Sequence, residues 1–169
     1  MSKQKFTIRK ARLEDLGAVT EIYNEAVVNT VSTFHLNPRE EEHQLNWFYR
    51  HGERYPIFVG EEAGIILGWA CLSPFSEREG YRYTVTDSVY VSPSFRCQGV
   101  GRNLLTRLCE EAGQLGYHSV VGVIARENTA SIKLHERVGF TLRGELKEAG
   151  FKFGKWVDIC YYQKFLSSS

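Results

Sequence analysis

The segment Arg96-Cys97-Gln98-Gly99-Val100-Gly101, followed by Arg102 and Asn103, carries the clearest chemical signal in the chain. Two glycines one residue apart, opening an apolar-striped stretch, suit a turn that points backbone N–H groups at a diphosphate, where a Cβ would obstruct close approach. The positive end of a helix adds to that field, and Arg96 and Arg102 supply charge-assisted donors. A plain strand-to-helix turn is the alternative reading. The spacing matches neither GxGxxG after an N-terminal strand nor GxxxxGK[ST], which argues against nicotinamide dinucleotides and against ATP in a Walker-type loop. Asp87 is the only carboxylate in the strand-like run 84–91, and His135 sits in a second helical stretch. Each reads either as a proton-handling group or as a satisfied structural residue. His35, His43, His51 and His118 show no ligand-like spacing and are expected to be solvated. Cys71, Cys97, Cys109 and Cys160 form neither CxxC pairs nor His-interleaved clusters, so no metal site is expected, and reduced thiols in a cytosol follow.

These residues need elements to position them. Phe6 and Ile8 suggest a short strand, after which Leu16, Val19, Ile22, Tyr23 and Ala26 recur at helical spacing. A second helix is expected over 37–51, begun by Asn37-Pro38. The apolar runs 57–60 and 65–72, separated by Glu61-Glu62-Ala63-Gly64, predict an antiparallel hairpin. Residues 84–91 are rich in β-formers and end at Ser92-Pro93, which cannot continue a ladder. From 99 to 115 an apolar stripe of Val100, Leu104, Leu105, Leu108 and Ala112 predicts the best helix, stopped at Gly116. A strand over 119–124, a helix capped by Asn128-Thr129 and ended near Val138-Gly139, and strands over 140–146 and 156–165 complete the series. The last two strands are expected to be joined by a glycine-rich connection around Gly150 and Gly154, and Trp47, Trp69 and Trp156 are expected in the core. The sum is an α/β chain with a mixed sheet and helices on both faces.

The 169 residues suit a single domain over 1–166, with Ser167-Ser168-Ser169 as a disordered tail. Lys+Arg 21 against Asp+Glu 20 leaves no chain-wide field for nucleic acid or an anionic membrane. No apolar run approaches the ~20 residues of a membrane helix, and the first residues lack a signal-type apolar core, so a cytoplasmic protein is expected.

Arg96-x-x-Gly99-x-Gly101 after Val89-Tyr90-Val91-Ser92-Pro93 resembles the central coenzyme-A motif of the GNAT superfamily of N-acetyltransferases. Tyr81-Arg82-Tyr83-Thr84-Val85, Asn128-x-x-Ser131-x-x-Leu134-His135-Glu136, Val138-Gly139-Phe140 and Gly150-Phe151-Lys152-x-Gly154-x-Trp156-x-Asp158 resemble its phosphinothricin and methionine sulfoximine acetyltransferase branch. The resemblance implies the GNAT fold: a mostly antiparallel sheet of about seven strands, splayed between the fourth and fifth, with about four helices. It implies acetyl-CoA in that splay as co-substrate, against the backbone of Val89, Tyr90 and Val91. The loop of Arg96, Cys97, Gln98, Gly99, Val100, Gly101 and Arg102 would hold the diphosphate, with Asn128 and Ser131 beside the pantetheine arm. His135 falls near the thioester sulfur. Phe34, Phe75, Arg78, Tyr81, Arg82 and Tyr83 fall in the pocket of a small amine acceptor, where an arginine would pair with its anionic group. The alternative reading puts Arg78 in a solvated loop and Tyr81 and Tyr83 in sheet packing.

The implied activity is direct acetyl transfer in a ternary complex to an amino-acid-like amine, by a homodimer. Rival readings are another amine acceptor, such as a protein N-terminus or a polyamine, and a catalytically weak coenzyme sensor. In one place the chain departs from the branch: its strand-four glutamate falls on Thr86, which holds no proton near neutral pH. Asp87 is then expected to serve as base or water-positioner, turned into the pocket by a β-bulge, with a water chain led by Thr86 as the alternative.

Overall fold

The computed structural model describes residues 6–166, so the expected tail at 167–169 lies outside the described residues. The chain runs β1 (Thr7–Lys10), α1 (Leu16–Asn29), α2 (Glu41–Arg50), β2 (Ile57–Glu62), β3 (Ile65–Pro74), β4 (Thr84–Val91), α3 (Val100–Gln114), β5 (Ser119–Ala125), α4 (Thr129–Val138), β6 (Thr141–Lys152) and β7 (Lys155–Phe165). The strands form one sheet in the order β1-β2-β3-β4-β5-β7-β6. Every neighbouring pair is antiparallel except β4 with β5.

Alternation along the strands divides the apolar residues between two cores. Ala70, Leu72 and Val85 pack against Leu104, Leu105, Leu108 and Ala112 of α3 on one face. Trp69 and Cys71 pack against Val19, Ile22, Tyr23 and Val27 of α1 on the other. β2 and β3 are joined by Ala63-Gly64 with φ of 50° and 81°, the two left-handed positions that a tight hairpin with the correct twist demands. Gly116 and Gly139, at φ 82° and 96°, end α3 and α4 as expected.

Three expectations are corrected. The second helix begins at Glu41, not at Asn37. Pro38 disfavours helical geometry at the preceding residue, and the Arg39 backbone is held off the helix by Asn24, whose Oδ1 accepts its amide at 2.7 Å and whose Nδ2 donates to its carbonyl at 3.0 Å. The glycine-rich connection does not form around Gly150, because β6 continues through it and turns at Phe153-Gly154, with φ of 53° and 73°. Gly150 is instead the seat of a ring: a Cβ there would lie 2.2 Å from Phe34. The register of β6 slips between Leu146 and Gly150, where Glu148 (φ 51°) gives its amide to Asp158 Oδ1 at 2.8 Å and Lys147 reaches Asp158 Oδ2 at 2.9 Å. Trp156 is not a core residue; it is exposed and stacks edge-on with Phe151 at the surface of this hairpin.

Candidate active site

β4 and β5 pair only through Thr84↔Ser119, Val85↔Val120 and Thr86↔Val121. Beyond Thr86 the two strands diverge, so Val89, Tyr90 and Val91 remain paired to β3 on one side while their β5-facing edge has no ladder. Past the end of β4, Pro93–Phe95 makes a 3-10 turn that leads into the glycine segment at the start of α3. Cys97 and Gly99 both have positive φ, 61° and 86°, and Gly99 caps α3 without any side-chain bond. The first N–H groups of a helix have no intrahelical acceptor and sit at its positive end, so this turn presents donors that an anion can use.

The residues expected there divide. Gln98 steadies the loop by donating to the Ser94 carbonyl at 3.1 Å, while Val100 is buried and lends only its backbone. Arg102 is exposed in the first turn of α3. Arg96 faces elsewhere: its Nη2 pairs with Glu25 of α1 at 3.0 Å and its Nε donates to the Val91 carbonyl at 3.2 Å. The two glycines also differ, since Gly101 has ordinary helical geometry and a Cβ there would meet Leu134 and Val91 at 3.4 Å.

The register of β3 on β4 is unbroken through Ser73↔Thr86, Leu72↔Asp87 and Cys71↔Ser88, so the expected β-bulge is absent. Asp87 shares the face of Val85 and Val89, toward α3 and α4, whereas Thr86 lies on the opposite face and meets the Ser73 carbonyl at 3.4 Å. Asp87 Oδ2 lies 3.0 Å from His135 Nε2, with the two side chains 3% and 4% exposed. His135 Nδ1 lies 2.8 Å from the Ser131 carbonyl, and its ring stands edge-on to Phe140.

A carbonyl oxygen only accepts, so Nδ1 carries a proton, and Nε2 shares a second proton with the Asp87 carboxyl group. When His135 is charged the pair is an imidazolium–carboxylate. Burial alone would lower the His135 pKa, but the Asp87 charge and hydrogen bond, with the Ser131 carbonyl, raise it above the ordinary value. Gly122 of β5 makes room: a Cβ there would come within 2.9 Å of the imidazole and 3.2 Å of Asp87 Oδ1. That Oδ1 is buried and has no hydrogen-bond partner among the described residues.

Asn128 caps α4 as expected, its Oδ1 accepting the Ser131 amide at 3.1 Å. Its Nδ2 donates to Ser32 Oγ at 3.0 Å, and Tyr90 donates to the Ser32 carbonyl at 3.5 Å. Ser32 thus ties the α1–α2 loop to both sides of the divergence, a role with no local signal in the sequence. Of the acceptor-pocket residues, Phe75 and Tyr81 pack ring to ring at 5.3 Å, and the Arg82 guanidinium lies 4.6 Å over Tyr83 and donates to the Glu79 carbonyl. Arg78 is exposed. Phe34 lies apart from this group, on Gly150 of β6.

His43 and His118 are exposed as expected. His51 is not solvated; it stacks on Trp47 and its Nδ1 binds the Trp47 carbonyl at 2.8 Å. His35 is hydrogen-bonded to the Tyr23 hydroxyl. Lys152, unremarked in the sequence, is 2% exposed. A lysine in a strand flanked by Phe151 and Phe153 was the available sign.

No helix among the described residues is long and apolar enough to cross a membrane. The profile of the acetyltransferase (GNAT) family matches residues 18–140. The chain is 40% identical to the L-methionine sulfoximine/L-methionine sulfone acetyltransferase of Salmonella typhimurium over 158 residues, 93% of this chain and 92% of that one. It superposes with a TM-score of 0.93 on a GNAT superfamily phosphinothricin acetyltransferase from Sinorhizobium meliloti in complex with AcCoA, at 38% identity over 97% of this chain and 90% of that one. The ribosomal-protein-alanine N-acetyltransferase from Brucella melitensis gives a TM-score of 0.92 at 38% identity, covering 95% of this chain and 99% of the other. The divergent β4–β5 pair, the glycine turn ahead of α3 and these likenesses agree: the chain belongs to the GNAT family of acetyltransferases.

Proposed function

We propose that this protein is an acetyl-CoA-dependent N-acetyltransferase acting on the amine of a small amino-acid-like acceptor, of the kind named for its phosphinothricin and methionine sulfoximine relatives. The observation that carries the reading is the β4–β5 divergence, bounded at one end by the buried Asp87–His135 pair and at the other by the Gly99-led start of α3. Residues 1–166 act as one domain, in the cytoplasm and as a homodimer.

The residues present fit acetyl-CoA. The N–H groups of residues 98–102, with Arg102, would hold the diphosphate, and the free edge of Val89, Tyr90 and Val91 would pair with the pantetheine arm beside Asn128 and Ser131. Arg96 acts first as a brace between α1 and the end of β4. Bound acetyl-CoA supplies the activated acyl group. The acceptor amine would attack the thioester carbonyl, forming the C–N bond and placing negative charge on the carbonyl oxygen, after which the C–S bond would break and the sulfur would leave as a thiolate that needs a proton. Backbone N–H groups of β4 stabilise the oxyanion, and alignment of the two substrates supplies much of the rate.

The His135–Asp87 pair lies on the α3/α4 side of the sheet, and its position there supports a role near the departing thiolate, where His135 would give up its proton once its bond to Asp87 opens. Thr86, on the other face, passes the amine proton to solvent through water. Phe34, Phe75, Tyr81, Arg82 and Tyr83 line the acceptor side, with Arg78 at its exposed rim. The test is release of free thiol from acetyl-CoA against a panel of methionine sulfone, methionine sulfoximine, phosphinothricin, polyamines and a peptide with N-terminal alanine. Turnover confined to the first three supports the reading. The likeness to the ribosomal-protein-alanine enzyme motivates the peptide, and turnover on it alone would replace the acceptor class. Coenzyme binding without turnover on any amine would leave a sensor.

A further inference from the structure

On the α1 face of the sheet, under the loop that joins α1 to α2, positive charge gathers without an ion-paired acid among the described residues. Lys152 Nζ donates to the Thr33 carbonyl at 2.8 Å, lies 5.1 Å from the centre of the Phe153 ring and is buried. The Thr33 hydroxyl meets Tyr23 Oη at 2.9 Å, and the same phenol is bonded to His35 Nδ1. Arg39 lies with its guanidinium 4.4 Å above the Tyr23 ring, Nη1 on Gln44 Oε1 at 2.9 Å and Nη2 3.5 Å from His35 Nδ1. Neither Arg39 nor Lys152 takes part in an ion pair among the described residues. Gln44, bonded to Arg39 and itself fully buried, leaves its Nε2 without a partner among the described residues.

A buried ammonium is costly without a counter-charge, and neither the Thr33 carbonyl nor the Phe153 ring carries a negative charge. Arg39 is pre-set for a planar anion, because the Tyr23 ring and Gln44 fix its plane and Asn24 clamps its backbone. His35 feels both cations: burial, then Arg39 and Lys152, lower its pKa. The cluster adjoins Phe34, the next residue after Thr33, which the proposed function puts on the acceptor side.

We propose that His35, Arg39 and Lys152 form the recess that takes the α-carboxylate of the acceptor amino acid, leaving Arg82, at the far end of β4, for the distal polar group. This inference rests on the proposed function, and it adds a second cationic site that neither the glycine turn nor the 75–83 segment contains. Of the three, His35 is exposed, Arg39 is half-buried and Lys152 is buried, so an acceptor would approach from the His35 side.

The experiment compares methionine sulfone with its carboxamide as acceptors for the wild type and for Lys152→Met, Arg39→Gln and Lys152→Arg. The wild type should favour the carboxylate. Lys152→Met and Arg39→Gln should each raise the acceptor KM about tenfold or more, the scale of one lost charge-assisted bond, and shrink that preference. The acetyl-CoA Kd by calorimetry should stay within about twofold, which excludes a folding defect, and Lys152→Arg should recover part of the loss.

A second readout is independent of turnover: the His35 imidazole, followed by NMR, should titrate at higher pH once methionine sulfone is bound and should not respond to the carboxamide. An undiminished carboxylate preference in both charge-removing variants, or its collapse in Arg82→Ala instead, overturns the proposal. Should the wild type bind acetyl-CoA yet acetylate no amine, the functional reading fails separately. Calorimetry with methionine sulfone then decides the recess, and no carboxylate-dependent binding overturns it.

Discussion

Because both ring nitrogens of His135 face oxygen acceptors, removing the carboxylate at position 87 should do more than delete a hydrogen bond. In Asp87→Asn the imidazolium loses the charge that sustains it, so its pKa falls. If His135 donates to the departing thiolate, the alkaline limb of the kcat profile moves to lower pH, and kcat/KM near neutrality drops by roughly 10²-fold. Stability carries the same signature. A histidine whose folded pKa is raised contributes stability that is fully present below about pH 6.5, its unfolded value, and is lost as pH rises through the folded one. Thermal unfolding of wild type and Asp87→Asn between pH 6 and 9 should therefore show the largest gap at pH 6 and a shrinking one above it. A gap that widens with pH would contradict an imidazolium at position 135. Unchanged turnover in Asp87→Asn, together with a faster Thr86→Glu, would move the proton chemistry to the other face of β4.

At the scale of elements, the two glycines at the start of α3 serve different ends and should respond differently. Gly99 lies in the left-handed region, which a β-branched residue avoids, so Gly99→Val should distort the turn and abolish acetyl-CoA binding in calorimetry while the apolar stripe of α3 keeps the helix folded. Gly101 is helical and its missing Cβ points at Leu134 and Val91, so Gly101→Ala should weaken binding far less. Equal losses would mean that close packing against Val91, and not the turn, controls the coenzyme site. The sequence announces the Gly99 turn because local rules govern it, and the same holds for β4, whose expected span 84–91 is the observed Thr84–Val91. It conceals what depends on partners distant along the chain. Asp87 and His135 lie 48 residues apart, and the room for them comes from Gly122, which in sequence is one small residue in an apolar run. Gly150 reads as a turn residue until Phe34 arrives from the α1–α2 loop to occupy its missing Cβ. The start of α2 was misplaced because the tie between Arg39 and Asn24 crosses 15 residues and outweighs the helix-start signal of Asn37-Pro38.

For the molecule as a whole, the far edge of the sheet bears on the proposed assembly. β6 has twelve residues and no partner beyond β7, and it exposes Leu142, Leu146 and Phe151, with Phe153 and Trp156 next to them in the hairpin. A long apolar edge left bare invites uncontrolled strand pairing. The register slips at Leu142/Gly144 and Leu146/Gly150 break the edge into short pieces, so continuous sheet extension from chain to chain is blocked. What remains is an exposed apolar patch, which the proposed two-fold dimer would cover by side-chain packing. The proposed homodimer should therefore give a light-scattering mass twice that of the 19.4 kDa chain. Leu146→Lys with Trp156→Lys should shift it to the monomer, since two buried like charges per protomer would face their copies across the interface. The acetyl-CoA Kd should be retained, because the glycine turn stands on α3, across the sheet order from β6. The acceptor KM should rise, because β6 carries the seat of Phe34 at Gly150 and the buried Lys152 that holds Thr33, and loosening this edge loosens the acceptor side first. A variant that stays dimeric would move the interface to another surface. A monomer with wild-type kinetics on both substrates would separate assembly from catalysis.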